Sequence, residues 1–462
     1  MKFFKVNLSL LLVAAAVAIQ SEDVPKGFGQ YTTGGKGGVE YHVNTLKELK
    51  DALQNNGKPE DPKIIYIESP INGYIYDDGS LMTAENLAPG FSFEKYINCF
   101  TEDGSAWLGT PECEKIETLR KKGMTPLQKQ IKVKVTSNTT IIGNGNDSKI
   151  EELVIQISNA NNVILKDLSI QAPNDLFPQW TINDGWSCKY DAVVIQGSKN
   201  VWIDNCLLDD GEKTVESAPV IFGQNVELHD GLIDIINGSD LITLSNNRFA
   251  NHRKTILIGN SDSRISDSNL LSVTMYNNVF INCWQRMPRV RFGKVHIFNN
   301  LYYIDNYDSY PVRYNGDGSI MLTHINIGIG LESNILSEYN SFNYPRLRSF
   351  TNSTAIIVQN IGGHIFKDIG SKFNNKKIDL NALAKKDFEL NVEKTKTQNL
   401  INGGTNPSWV DETFTTETFN PNEYYTYKID RNIKNVNKLK NQIPSWMFTS
   451  NSDSDSDSGN DL

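Results

Sequence analysis

Beyond its first twenty residues, this 462-residue chain has no apolar run long enough to cross a bilayer. The opening MKFFKVNLSLLLVAAAVAIQ sets Lys2 and Lys5 before a short apolar run that ends in small residues such as Ala16 and Ala18. That is the pattern of a secretory leader over residues 1–20, so a soluble, exported protein with no membrane partner is expected. Net positive charge is missing too. There are 45 Lys and Arg against 54 Asp and Glu, and the net charge of -9 argues against a nucleic-acid partner held by general electrostatics. Cysteine is limited to five: Cys99, Cys113, Cys188, Cys206 and Cys283. An odd number leaves at least one unpaired, and Cys99 with Cys113 or Cys188 with Cys206 are bridges that proximity allows. No His/Cys spacing suggests zinc.

Helical periodicity is nearly confined to NTLKELKDALQNNG (44–57), where Leu46, Leu49 and Leu53 share a face and Gly57 and Pro59 end the run. A short N-terminal helix is expected there. The polar stretch holding Cys99 and Cys113 reads as an irregular excursion with some helix. From about residue 131 the chain lacks the long helical patterns of a βαβ protein and the Leu scaffold of leucine-rich repeats. It shows short β-branched runs instead, among them NNVILKDLSI, KNVWIDNCLL, SDLITLSNNRF, LSVTMYNNVF and KVHIFNNLYY.

The element Asn-Asn-x-hydrophobic recurs at Asn246, Asn277 and Asn299, at intervals of 31 and 22 residues. Such a period means a solenoid, and the texture leaves an all-β, right-handed single-stranded parallel β-helix with long loops. These asparagines suit left-handed bends between strands and amide stacking along the axis. The domain is expected over residues 21–449, followed by a disordered Ser/Asp tail over 450–462. Sequons stand at Asn138, Asn146, Asn237 and Asn352. Nothing requires an oligomer, so a monomer is expected.

The segment WQRMPRVRFGK (284–294) sets Arg286, Arg289 and Arg291 around Pro288 with no carboxylate inside. Guanidinium groups match carboxylates in two-point contacts, although a solvated basic loop is the simpler reading of an isolated cluster. Asp191 opens one β run, Asp230 and Asp234 lie four apart, and Lys254 opens another run twenty residues after Asp234. One coil is about that length, so Asp191, Asp234 and Lys254 fall on neighbouring coils of one face. Four residues of straight strand span about 13 Å, so Asp230 joins them only through a bend at Gly231. Three converging carboxylates would hold a hard cation such as Ca²⁺; by spacing alone, three exposed turn aspartates fit equally well. Arg289 has no assigned role and is expected to be solvated.

Several ordered motifs resemble the extracellular pectate lyases of polysaccharide lyase family 1. They are NVWIDNC, DGLIDIINGSDLITLSNNRFANHRKTILIGNSDS, VTMYNNVF and QRMPRVRFGKVHIFNN, with GFGQYTTGGKGG and NTTIIGNG resembling the family's N-terminal coils. The resemblance covers roughly residues 27–345. It implies the β-helix and cleavage of polygalacturonate by β-elimination. It also implies Arg286 as catalytic base, Lys254 and Arg291 as binders of substrate carboxylates, and Asp191, Asp230 and Asp234 as Ca²⁺ ligands. Asn205 stands where the family has His, and Lys189 where some members carry Asp.

In that chemistry a base takes the C5 proton, the C4–O bond breaks, and no water is added. Arginine normally keeps its proton, so an alkaline optimum is expected. A pectin lyase acting on methyl esters and a noncatalytic polysaccharide-binding β-helix are the alternatives. Polygalacturonase motifs are absent. Trp180 and Trp186 are expected to pack against the helix wall rather than stack on sugars, and Trp202 and Trp284 to be structural.

Overall fold

The structure is a computed structural model and describes residues 24–145, 147–214, 217–305, 322–348 and 355–442. The leader, the Ser/Asp tail, Asn146 and Asn352 lie outside the described residues. Three parallel sheets wind around one core as a right-handed β-helix. The first sheet has ten strands, from Val39–Val43 to Ile365–Ile369. A second has eight, from Lys132–Val135 to Ala355–Ile361, and carries the candidate site. The third has ten and ends in Lys372–Phe373 and Lys376–Lys377.

One coil shows how sequence makes this shape. Gly231–Ile236 lies in the site sheet, Asp240–Ser245 in the first sheet and Arg248–Ala250 in the third. Successive coils stack in register, which aligns Val163, Val201, Ile242, Val273, Val295 and Ile335, all fully buried. β-Branched side chains suit this pleated interior, and burying each one contributes about 1.5–3 kcal/mol. On the third sheet Phe249, Phe280, Tyr302 and Phe342 stack with ring centroids 5.0, 4.7 and 4.5 Å apart.

The corner between the first and third sheets is the left-handed bend expected of asparagine. Asn246, Asn277 and Asn299 sit at φ 55°, 54° and 54°, and Asn205 occupies the same corner at φ 51°. Asn205 donates to Asp167 Oδ1 at 2.6 Å, so the residue that replaces the family's His is part of the corner stack. The buried amide ladder, however, is built mainly by the second asparagine of each pair and by Asn340, which follows Tyr339. Asn247, Asn278, Asn300 and Asn340 are buried. Asn247 N donates to Asn278 Oδ1 at 3.0 Å, Asn278 N to Asn300 Oδ1 at 2.9 Å, and Asn300 N to Asn340 Oδ1 at 2.9 Å. The first asparagine bends the chain outward; the second turns inward and satisfies backbone N–H groups that the bend would orphan.

Both ends of the solenoid are covered. The expected N-terminal helix is present at Leu46–Gln54 and packs on the first strands. Much of the excursion is a 21-residue helix, Pro111–Ile131. Thr110 caps it by accepting from Cys113 N, and Pro111 begins it. A second unforeseen helix, Leu380–Asn402, packs on the last site-sheet and first-sheet strands. Residues 27–38, expected as coil, are instead turns on the outer face of the first sheet. Phe28 N donates to Thr274 Oγ1 at 3.0 Å and Gly29 N to Thr243 Oγ1 at 3.0 Å. Tyr425 from the C-terminal segment reaches the same sheet, its hydroxyl 2.8 Å from His296 Nδ1.

Cys99 and Cys113 form a disulfide. The second possible bridge is overturned: Cys188 and Cys206 are free and buried, as is Cys283. Cys206 is an inward corner residue of the core, whereas Cys188 precedes the site sheet, so closeness in sequence does not bring them together. Among the described residues no helix is long and apolar enough to cross a membrane.

Candidate active site

The site sheet stacks the candidate residues as a column. Gly231 pairs with Lys254, and Lys254 bridges to Gln285, the residue before Arg286. Asp191 lies one coil below, where Ala192 N bonds Gly231 O at 2.9 Å. Parallel strands lie about 4.8 Å apart, so residues remote in sequence become neighbours.

Gly231 matters here through its missing Cβ rather than through a left-handed bend. A Cβ at this position would fall 2.7 Å from Asp191 Oδ1 and 3.0 Å from Asp234 Oδ1. Both carboxylate oxygens therefore border one small space. Asp191 Oδ1 also accepts from Gly231 N at 2.8 Å, while Asp234 Oδ1 is buried without a hydrogen-bond partner. Burial raises the Asp191 pKa well above the ordinary carboxylate range, with Asp234 and Asp230 adding to it. Asp234 is raised to about 7 by burial and by Asp230, against the pull of Arg286 and Lys254.

Asp230 lies close enough to act on both of those carboxylates, but it is also bound to Lys254. Its Oδ1 accepts from Lys254 Nζ at 3.0 Å, and Glu227 Oε2 accepts from the same ammonium at 2.9 Å. Burial works against the charge on Lys254, but Asp230 and Glu227 outweigh it and raise its pKa. Among the described residues no three His, Cys, Asp or Glu side chains converge as a closed metal cage. The structure thus brings Asp191 and Asp234 together and ties Asp230 to Lys254. The shared space, the unpartnered Asp234 oxygen and the all-oxygen donor set fit a hard cation.

Glu227 carries no motif in the sequence and was not anticipated. It is buried and holds both Lys254 and Arg253, the latter at 3.3 Å. Beneath Asp230 lies a second unanticipated pair. His252 Nδ1 is 2.5 Å from Asp210 Oδ1, and its Nε2 is 3.0 Å from the carbonyl oxygen of Asp230. Both ring nitrogens lie against oxygen atoms, which ties the ring to Asp210 on one side and to the Asp230 backbone on the other.

Arg286 stands on the next coil at φ 61°, a region non-glycine residues rarely occupy and one enriched at functional sites. Its carbonyl accepts from Ile256 N at 2.6 Å, which anchors it beside the Lys254 strand. Its Nε is buried without a partner among the described residues. Arg291 pairs with Asp262 and donates from Nη1 to Gly259 O at 3.0 Å. The expectation for Arg289 fails: it is half-buried, and burial with Arg291 and Arg286 nearby lowers its pKa to about 10. Position in a strand, Arg289–Val290, draws it into the arginine cluster. Trp180 and Trp186 pack as expected, donating to Gly104 O at 2.9 Å and Ile221 O at 3.2 Å.

Residues 115–402 match the family described as Pectate lyase. A pectate lyase of Bacillus subtilis (strain 168) is 32% identical over 383 residues, which cover 80% of this chain and 86% of that protein. The chain belongs to the pectate lyase family. Pectate lyase E of Dickeya chrysanthemi is 33% identical over 377 residues, covering 80% of this chain and 84% of the relative. Solved pectate lyases share the fold. A thermostable one is 30% identical with a TM-score of 0.72, covering 90% of this chain and 95% of its own. One bound to a hexasaccharide is 27% identical with a TM-score of 0.71, covering 90% and 94%. Membership makes this pectate lyase an enzyme of the polysaccharide lyase type.

Proposed function

We propose that this pectate lyase is exported and calcium-dependent, and that it cleaves (1,4)-α-D-galacturonan by β-elimination to 4,5-unsaturated oligogalacturonides. The observation that carries the reading is the single column in which Asp191 and Asp234 flank one space below Lys254 and Arg286. Asp191 and Asp234, joined by Asp230, would hold Ca²⁺. When bound, calcium supplies positive charge against the substrate carboxylate, and that acidifies the adjacent C5–H.

Lys254 and Arg291 orient the same carboxylate. Arg286, in its neutral form, accepts the C5 proton. The C5–H electrons become the C4=C5 double bond, and the C4–O pair leaves with the departing sugar, which takes a proton from solvent. Retention of three aspartates favours unesterified substrate over methyl esters. Because the neutral fraction of an arginine rises with pH, the optimum is alkaline.

The test is ultraviolet absorbance of unsaturated uronides from polygalacturonate, with calcium and with chelator. Growth of absorbance that chelator stops supports the proposal. Cleavage without absorbance means hydrolysis, and activity that needs methyl esters and survives chelation means a pectin lyase.

A further inference from the structure

The third sheet ends in a hairpin whose charge has no local explanation. Lys372 pairs directly with Lys377, and Phe373 with Lys376, across a turn whose residues Asn374 and Asn375 sit at φ 44° and 64°. Like charges opposite one another destabilise a strand pair. The chain as a whole is acidic, yet among the described residues no ion pair involves Lys372, Lys376, Lys377 or Lys434.

Lys372 and Lys434 line a groove of about 480 Å³ together with Asn375, Ile433 and Asn437, and Lys377, directly opposite Lys372, shares its face of the hairpin. The groove is built by specific contacts. Asn437 Nδ2 donates to Asn375 Oδ1 at 2.7 Å, Ser341 Oγ donates to Asn437 Oδ1 at 2.5 Å, and Asn432 Oδ1 accepts from Lys434 N at 3.2 Å. These bonds lock the C-terminal segment against the hairpin, with Lys434 and Lys372 both at the groove. That surface belongs to the third sheet, whereas the catalytic column belongs to the site sheet.

We propose that this groove is a second, noncatalytic site for the acidic polysaccharide, in which lysine ammonium groups hold uronate carboxylates away from the point of cleavage. Charge complementarity selects the occupant: a polyuronate offers one carboxylate per sugar, and an unopposed lysine pair becomes favourable once an anion lies between its members. The inference rests on the reading of a galacturonan as substrate. Two linked sites on one polymer raise the apparent affinity for long chains and leave short ones unaffected.

The experiment compares parent enzyme with the triple variants K372Q/K377Q/K434Q and K372R/K377R/K434R, at equal melting temperature. Rates on trigalacturonate and on long polygalacturonate are measured, as is retention on polygalacturonate beads and on dextran sulfate beads in chelator. The glutamine variant is expected to keep parental kinetics on the trimer and to raise KM on the polymer about tenfold. It should leave the polygalacturonate beads at lower salt, while the arginine variant behaves as the parent. Unchanged polymer KM and retention in the glutamine variant would overturn the site. So would an equal loss on dextran sulfate, which marks a general polyanion surface. A parent inactive on every galacturonan, with retention still lost in the glutamine variant, would remove the catalytic reading and leave this one standing.

Discussion

Asp234 carries two burdens: it is shielded from water, and it faces Asp191 with an oxygen that no donor satisfies. Its pKa of about 7 in the fold lies above the ordinary 3.8, so the folded state binds more protons than the unfolded chain between those values. Stability without calcium therefore falls as pH rises from about 4 to 7, and Asp191 acts in the same direction. Melting curves in chelator should show that decline, and the gain in melting temperature on adding calcium should grow over the same range. Asp234→Asn should remove most of the gain and raise the melting temperature in chelator near pH 8. A calcium increment equal at pH 5 and pH 8 would count against this electrostatic account. For Arg286 the expected loss falls on turnover. Arg286→Lys should lower kcat about a hundredfold or more with little change in KM, measured by uronide absorbance.

The coil is the element that converts sequence spacing into a site, and its corners are what can be tested. Asn278→Ala removes the acceptor for two donors of Asn247 and the donor to Leu244 O. A cost of about 2–3 kcal/mol in urea unfolding is expected, with kcat unaltered in the folded protein. Asn205→His should leave kcat unchanged, because Asn205 belongs to the corner and not to the column. The corners were legible in the sequence because asparagine at a left-handed bend recurs at coil intervals. Lys254 and Asp234 were legible because one coil separates them. Glu227, His252 and Asp210 were not: their partners come from other coils, and no local pattern announces a pairing made by stacking. The helix Pro111–Ile131 was obscured by Gly123 and Pro126 inside it. Gly123 is there because a Cβ would fall 2.2 Å from the Phe177 ring. The helix Leu380–Asn402 buries only Leu380, Ala384 and Phe388, too few to mark a face.

Across the whole molecule, an acidic chain handles an acidic polymer by concentrating its positive charge. Arg286, Arg289 and Arg291 cluster beside the carboxylates of one sheet, and Lys254 is held in place by Glu227 and Asp230, while the chain as a whole carries a net charge of -9. The N-terminal turns and the Tyr425 segment pack on the first sheet, and helices cover both ends. Absorbance of unsaturated uronides released from unesterified polygalacturonate, followed at alkaline pH with calcium and then with chelator, tests this account most directly. The expected result is a steady rise with calcium that stops on chelation and rises again when calcium is restored. The same rise in chelator, or product without absorbance, would contradict it.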